Sequence, residues 1–299
     1  MKNLLVPFCF KTLARLPLNG ARGVGRFLGG VLFRLKGRDY RMTRRNIANC
    51  LGIIDEQQLD QLTKASLKET FCTAAEAGAV WKNCWDWLQC HIKSVEGEDL
   101  MRAELAKGQG LLVLAPHLGN WEVVAPYLAS VAPLTAMYQP APIAALDKMI
   151  LAGRCKNNIS MAPTNVKGVS MLLKALKQGT IVGILPDQVP EKEAGGEPTL
   201  FFGRYAMTMT LIHALIKRTN CRVVATFAKR VDDGFSLITI PANDLIYSAD
   251  QSESLRGLNL TVEDCVRLAP EQYQWEYNRY RWLPEEFKAR NRELEAKQH

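Results

Sequence analysis

The 299-residue sequence has no stretch of about 18 uncharged apolar residues, so nothing in it reads as a membrane-spanning helix. It has only four histidines, His91, His117, His213 and His299, which leaves few candidates for a base that works near neutral pH. Its eight cysteines, at 9, 50, 72, 84, 90, 155, 221 and 265, form no CxxC pair and follow no regular spacing. They read as reduced, mostly packed thiols of a cytoplasm-facing protein. Without HExxH or a Cys/His cluster there is no zinc site to expect, and no metal or cofactor is anticipated. The absence of GxSxG and of a Walker sequence excludes the usual serine nucleophile and the usual phosphate loop. Gly23, Gly25 and Gly29 miss a dinucleotide fingerprint because position 28 is Leu and no strand precedes them; they are expected in close helix or membrane packing. No internal repeat or low-complexity segment is present.

Charge is unevenly spread. The chain carries a net +8, yet residues 1–45 hold eleven Lys or Arg against one acid, Asp39, so the remainder is slightly acidic. Large apolar residues, among them Phe8, Phe10, Leu13, Phe27, Leu28 and Phe33, are interleaved with those charges. At about 100° per residue, Lys11, Arg15, Arg22 and Arg26 fall within an arc of about 60°, which predicts an interfacial helix with a cationic stripe, bent at Pro17 to Gly20. Such a segment would lie on anionic lipid at the cytoplasmic face of a membrane. A buried amphipathic helix with solvated charges is the alternative. A cleaved signal fits poorly, because Lys11 and Arg15 interrupt its apolar region. Nucleic acid is not expected as a partner: no binding motif is present and the interleaved apolar residues would be exposed.

Residues 46–299 read as one sizeable α/β domain, separate from the basic segment 1–45. Residues 55–90 are helical in pattern. Strand-like runs at 110–115, 133–138, 180–185, 222–229 and 235–240 alternate with helix-like stretches at 120–130, 142–152, 166–178 and 206–218. That alternation predicts a mainly parallel central sheet flanked by helices. Residues 250–297 look helical, with breaks at Pro270 and Pro284.

His117 stands out among the histidines. It follows the apolar run Gly110 to Pro116, where a strand end delivers loop residues to a sheet edge, and Asn120 can cap a helix through Trp121 to Val124. On one continuous helix, residues five apart diverge by about 140°. A turn from His117 to Asn120 would instead swing Glu122 back towards the ring, to hold its tautomer and stabilise the imidazolium. A packed or surface pair has the same spacing. His213 sits in an apolar run and suits a core or interface, His91 lies among tryptophans, and His299 ends the chain.

These residues resemble a family. His117 and Glu122 match the His-x4-Asp/Glu motif of glycerolipid acyltransferases, and Pro116 to Glu122 resembles its form in the late acyltransferases of bacterial lipid A biosynthesis. Arg44-Arg45-Asn46-Ile47-Ala48 with Cys50-Leu51-Gly52, and Pro270 to Trp275 with Arg279-Tyr280, look like that family's first and last signatures. Gly153-Arg154 and Pro186-Asp187-Gln188 fall where relatives carry an arginine and an acidic residue of the active site.

The resemblance implies transfer of a fatty acyl chain from acyl carrier protein to a hydroxyl of a lipid A precursor at the bacterial inner membrane. His117 is then the general base and Glu122 its orienting carboxylate. Oxyanion donors are sought among loop amides around Gly119 or in Arg154, which is also a candidate for substrate phosphate. Asp187 is placed to orient Arg154 or the acceptor, with Gly119, Asn120 and Gln188 as substrate contacts. Lys167, Lys174, Lys177, Arg279 and Arg281 are candidates for the contact with the acidic carrier. The loop Val189 to Arg204 either covers the site and touches membrane or simply connects through two aromatic anchors. Two alternatives stay open: a lysophospholipid or other glycolipid as acceptor, and a membrane-bound lipid-binding protein without catalysis.

Overall fold

The computed structural model of the chain describes residues 2–155, 158–191 and 195–296, residues 2–5 by their backbone only. His299 and residues 192–194 of the loop after Val189 lie outside the described residues. Three helices, α1 (Lys2–Leu13), α2 (Leu18–Leu35) and α3 (Arg38–Leu51), lead into the long α4 (Glu56–Lys82) and the short α5 (Trp85–His91). Then follow β1 (Ile92–Glu96), α6 (Glu98–Ala106), β2 (Leu111–Leu114), α7 (Trp121–Val131), β3 (Leu134–Tyr138), α8 (Ala144–Arg154), β4 (Ile159–Pro163), α9 (Val166–Lys177) and β5 (Ile181–Ile184). The chain continues through β6 (Gly196–Phe201), β7 (Arg204–Met209), α10 (Leu211–Thr219), β8 (Arg222–Val231), β9 (Gly234–Pro241), α11 (Gln251–Leu268) and α12 (Glu285–Ala296).

Seven strands form the central sheet in the order β1-β9-β8-β2-β5-β3-β4, parallel at every pairing except the β8–β9 hairpin. Alternation along each strand divides the core between its two faces. Leu112, Leu114, Val182, Ile184, Val223 and Phe227 point to one side, and Leu111, Val113, Ile181, Val224 and Ala228 to the other. Both faces are therefore covered by helices, as a parallel sheet requires.

Two expectations need correction, and two strands lie outside the expected runs. The stretch 206–218 is not one helix: residues 204–209 form β7, whose burial alternates residue by residue, and the helix begins at Leu211. Ala206, Met207 and Met209 favour a helix, but β6 pairs with β7 across a two-residue turn in which Phe202 and Gly203 both have positive φ, 48° and 73°. Edge strands β1 and β4 carried too few buried residues to show an apolar run. Of the cysteines, Cys9, Cys84, Cys90 and Cys155 are exposed rather than packed.

The basic amino-terminal segment also differs from a continuous cationic stripe. The chain breaks between Leu13 and Leu18, so α1 and α2 have independent axes, and Arg22 is buried at 1% exposure. α2 lies along α4 at a distance set by Gly25 and Gly29. A Cβ at Gly29 would come within 2.5 Å of Leu67 O, and one at Gly25 within 2.7 Å of Phe71 O, whereas Gly23 faces open space. The opposite face of α2 exposes Val24, Phe27, Leu28 and Leu35. Among the described residues no helix is long and apolar enough to cross a membrane. Gly29→Ala should lower stability by about 1–3 kcal/mol through overpacking against α4, read as a lower denaturant midpoint; Gly23→Ala, inside the helix with nothing to meet, should raise the midpoint slightly, by up to about 1 kcal/mol of helix propensity.

Candidate active site

Neighbouring parallel strands β2 and β5 pair Leu114 with Ile184, and each chain then leaves the sheet through a proline. Three residues beyond the paired positions stand His117 and Asp187. The register therefore delivers both side chains to one edge, at the carboxyl ends of the strands where α/β proteins carry their sites. His117 Nδ1 is 2.9 Å from Asp187 Oδ1, and the His117 backbone N–H donates to Asp187 Oδ2 at 3.0 Å. The carboxylate thus grips ring and backbone together. A ring that donates from Nδ1 presents the Nε2 lone pair, and the Gln188 amide lies 3.2 Å from Nε2 while donating to Gln274 Oε1 at 3.1 Å. Trp121 meets the imidazole edge to face, with ring centres 4.9 Å apart. Burial alone would raise the pKa of Asp187, but the adjoining His117 charge and its hydrogen bonds hold the carboxyl below the usual range.

Glu122 is not the residue that holds the ring. Its carboxylate pairs with the Arg154 guanidinium, whose Nε lies at 2.9 Å, and accepts the Trp81 indole N–H at 2.7 Å. The turn is made as expected, with Asn120 capping α7 through the Glu122 amide at 3.1 Å, but it points Glu122 towards α4 and α8. Burial would push the Glu122 carboxyl up; the Arg154 charge and hydrogen bonds outweigh it and hold the pKa below the usual range. Arg154 also lies over the Tyr138 ring, 5.4 Å from its centre. Asp187 and Glu122 have thus exchanged the partners expected of them.

Gly119 and Asn120 serve the loop's own structure. Gly119 has φ +63°, its amide donates to Gln272 O at 3.0 Å, and a Cβ there would sit 2.0 Å from Ala228 O. The amides of Leu118 and Asn120 are likewise engaged, with Pro116 O and Ala228 O. An oxyanion donor among the amides of residues 117–120 is therefore excluded in this geometry, since the His117 amide is held by Asp187. Asn120 is fully buried, and its side-chain amide donates to Glu76 at 2.8 Å.

Other residues that matter were not singled out from the sequence. Gln274 N–H donates to His117 O at 3.1 Å, and Thr73 donates to Gly119 O at 2.8 Å. Asn46 donates to the carbonyls of Trp275 and Tyr277 at 2.7 and 3.0 Å, so the first and last signature segments meet behind the loop. The sequence offers one signal for Glu76, a lone carboxylate in a run of small and apolar residues, Ala74 to Val80. Of the basic candidates, Arg279 is buried at 3% exposure with its guanidinium over Phe201, which removes it from any carrier contact; Lys167, Lys174 and Lys177 are exposed on α9. The cavity beside Asp187 and Gln188, lined also by Asn46, Tyr273 and Tyr277, encloses about 10 Å³, room for about one water and not for an acyl chain. His213 is buried in α10, and His91 packs on Trp87. Among the described residues no three His, Cys, Asp or Glu side chains converge as metal ligands.

Fold and site together define an α/β protein with a hydrogen-bonded His–Asp pair at the carboxyl edge of a mainly parallel sheet. The chain belongs to the bacterial lipid A biosynthesis acyltransferases, a family that matches residues 2–282. It is 26% identical over 276 residues to the lipid A biosynthesis lauroyltransferase of Escherichia coli K12, covering 91% of this chain and 89% of that protein. It is 22% identical over 256 residues to the palmitoleoyltransferase of the same organism, covering 84% and 81%. With the myristoyltransferase the identity is 25% over 253 residues, covering 82% and 77%.

Asp187 and Glu122 both have lowered carboxyl pKa values, so their contribution to stability is present above the unfolded value near pH 4 and is lost as pH falls through the folded values. The denaturant midpoint should decline as pH is taken from about 5 towards 3, and Glu122→Gln, less stable near neutrality, should show a shallower decline.

Proposed function

We propose that this protein transfers a fatty acyl chain from acyl carrier protein to a hydroxyl of a lipid A precursor at the cytoplasmic face of the inner membrane. A lipid hydroxyl has too high a pKa to attack a thioester unaided near neutral pH. His117 Nε2 takes the hydroxyl proton as the oxygen bonds to the thioester carbonyl carbon. The tetrahedral intermediate then collapses with loss of the C–S bond, and the proton passes from the imidazolium to the leaving thiolate. Asp187 fixes the tautomer and stabilises the imidazolium, the part first assigned to Glu122. The Glu122–Arg154 pair joins a buried carboxylate to a half-buried guanidinium, and with the loop amides engaged, Arg154 is the remaining candidate donor to the oxyanion or to a substrate phosphate. His117 keeps 13% of its side chain exposed, and the acyl chain approaches from that side. The single observation carrying this reading is the Asp187-held ring with its Nε2 lone pair directed away from the carboxylate.

The membrane is met by the outward face of the amino-terminal helices. Phe8, Phe27 and Leu35 are 64%, 68% and 69% exposed, with Lys11, Arg15, Arg26 and Arg34 around them, a surface suited to apolar insertion beside anionic headgroups. The acidic carrier is met by Lys167, Lys174 and Lys177 on α9.

Lipid A from cells lacking the protein should be lighter by one fatty acyl group in mass spectrometry, and activity confined to a lysophospholipid or other glycolipid acceptor would overturn the choice of acceptor. His117→Ala and Asp187→Asn should each fold normally and lower kcat by about 10²-fold or more. Native turnover by folded His117→Ala defeats the assignment of the base. Replacing both Phe27 and Leu35 with Glu should weaken sedimentation with phosphatidylglycerol/phosphatidylethanolamine vesicles at least about tenfold, from the apolar area lost; unchanged binding counts against this membrane face.

A further inference from the structure

A cluster of ionised side chains lies behind the loop that carries His117. Glu76, on α4, has no exposed surface. Its Oε1 accepts from Arg22 Nε and, at 2.8 Å, from Arg230 Nε; its Oε2 accepts from Arg230 Nη2 and from the Asn120 side-chain amide, each at 2.8 Å. Arg22 comes from α2, Arg230 from the end of β8, and Asn120 stands three residues beyond His117. Arg230 also donates to Glu69 and to the Thr73 hydroxyl at 2.7 Å, and that hydroxyl donates to Gly119 O. Two arginines and two glutamates already balance in charge. The contacts to Asn120 and, through Thr73, to Gly119 are additional, and both end on the loop that carries His117.

We propose that Glu76 is a positioning residue, one that joins the amino-terminal helix α2 to the catalytic loop and sets where His117 stands. The chemistry of Asn120 makes this specific. Because its Nδ2 gives to Glu76, its Oδ1 must face the Glu122 amide and cap α7, so the carboxylate dictates which way the side chain points. A glutamine at 76 has one acceptor and one donor where two acceptors are needed, and places N–H against N–H from Arg22, Arg230 or Asn120. This inference rests on the reading of His117 as the base, although the position of the loop can be read without it.

The test uses the full-length chain with Glu76→Gln, Asn120→Ser and the double variant. Asn120→Ser keeps a capping oxygen but loses the donor to Glu76 and leaves the Arg22–Glu76–Arg230 cluster intact. Each single variant should lower kcat about tenfold or more with KM held within about twofold. The double variant should be no slower than Glu76→Gln alone, because both break one link. Amide hydrogen exchange across 117–122 should be faster in all three. Native exchange there in the folded variants, or rate losses that multiply, overturns the proposal. If Glu76→Gln does not fold, Asn120→Ser decides it alone, with native kcat and native exchange as the negative result. His117→Ala in the same assay separates the two claims: should it retain the native rate, the base assignment fails and the exchange measurement still decides whether Glu76 positions the loop.

Discussion

A carboxylate removed from water needs its charge matched and every lone pair occupied, and Glu76 meets that demand with two guanidinium groups and one amide. Taking away one partner of such a buried pair costs about 3–5 kcal/mol, because the remaining charge stays sealed in. Arg22 in turn donates to the carbonyls of Val231 and Gly234, each at 2.7 Å, at the turn between β8 and β9. Three segments far apart in sequence are thereby held around one point. The loop after β2 is fastened to the same point through Asn120, and to the far end of the chain through Gln272 and Gln274.

The pairing of β2 with β5 is the second constraint. It brings His117 and Asp187 to equal height, so the carboxylate can bond ring and backbone at once and leave the ring no freedom to turn. The ionisable groups at this edge sort into two separate pairs, His117 with Asp187 and Arg154 with Glu122. The carboxylate beside the His117 ring is thereby not shared with the Arg154 guanidinium.

Much of this was legible in the sequence. The apolar run ending at Pro116 placed His117 at a strand end, and Asn120 was recognisable as a cap, because both depend on local periodicity and capping chemistry. The ring's partner was not legible. Five residues of separation made Glu122 the nearest carboxylate along the chain, whereas the strand register, a long-range property, brought Asp187 from 70 positions away. Arg22 misled for a related reason: the arc shared with Lys11 and Arg15 assumed one helix, whereas the chain forms two, and which face of α2 packs inward was set by Gly25 and Gly29 against α4. The β6–β7 hairpin escaped notice because its Ala and Met residues favour helices, and only pairing reveals the strand.

The arginine of α2 plugged into the interior also bears on how relatives of differing acyl preference can be recombined. A crossover placed at residue 45 would fall inside α3 and would exchange Arg22 while leaving behind the glutamate and carbonyls that receive it. The amino-terminal helices, the stretch of α4 around position 76 and the β8–β9 turn form one inheritable block, and chimaeras that respect it have to draw all three from the same parent.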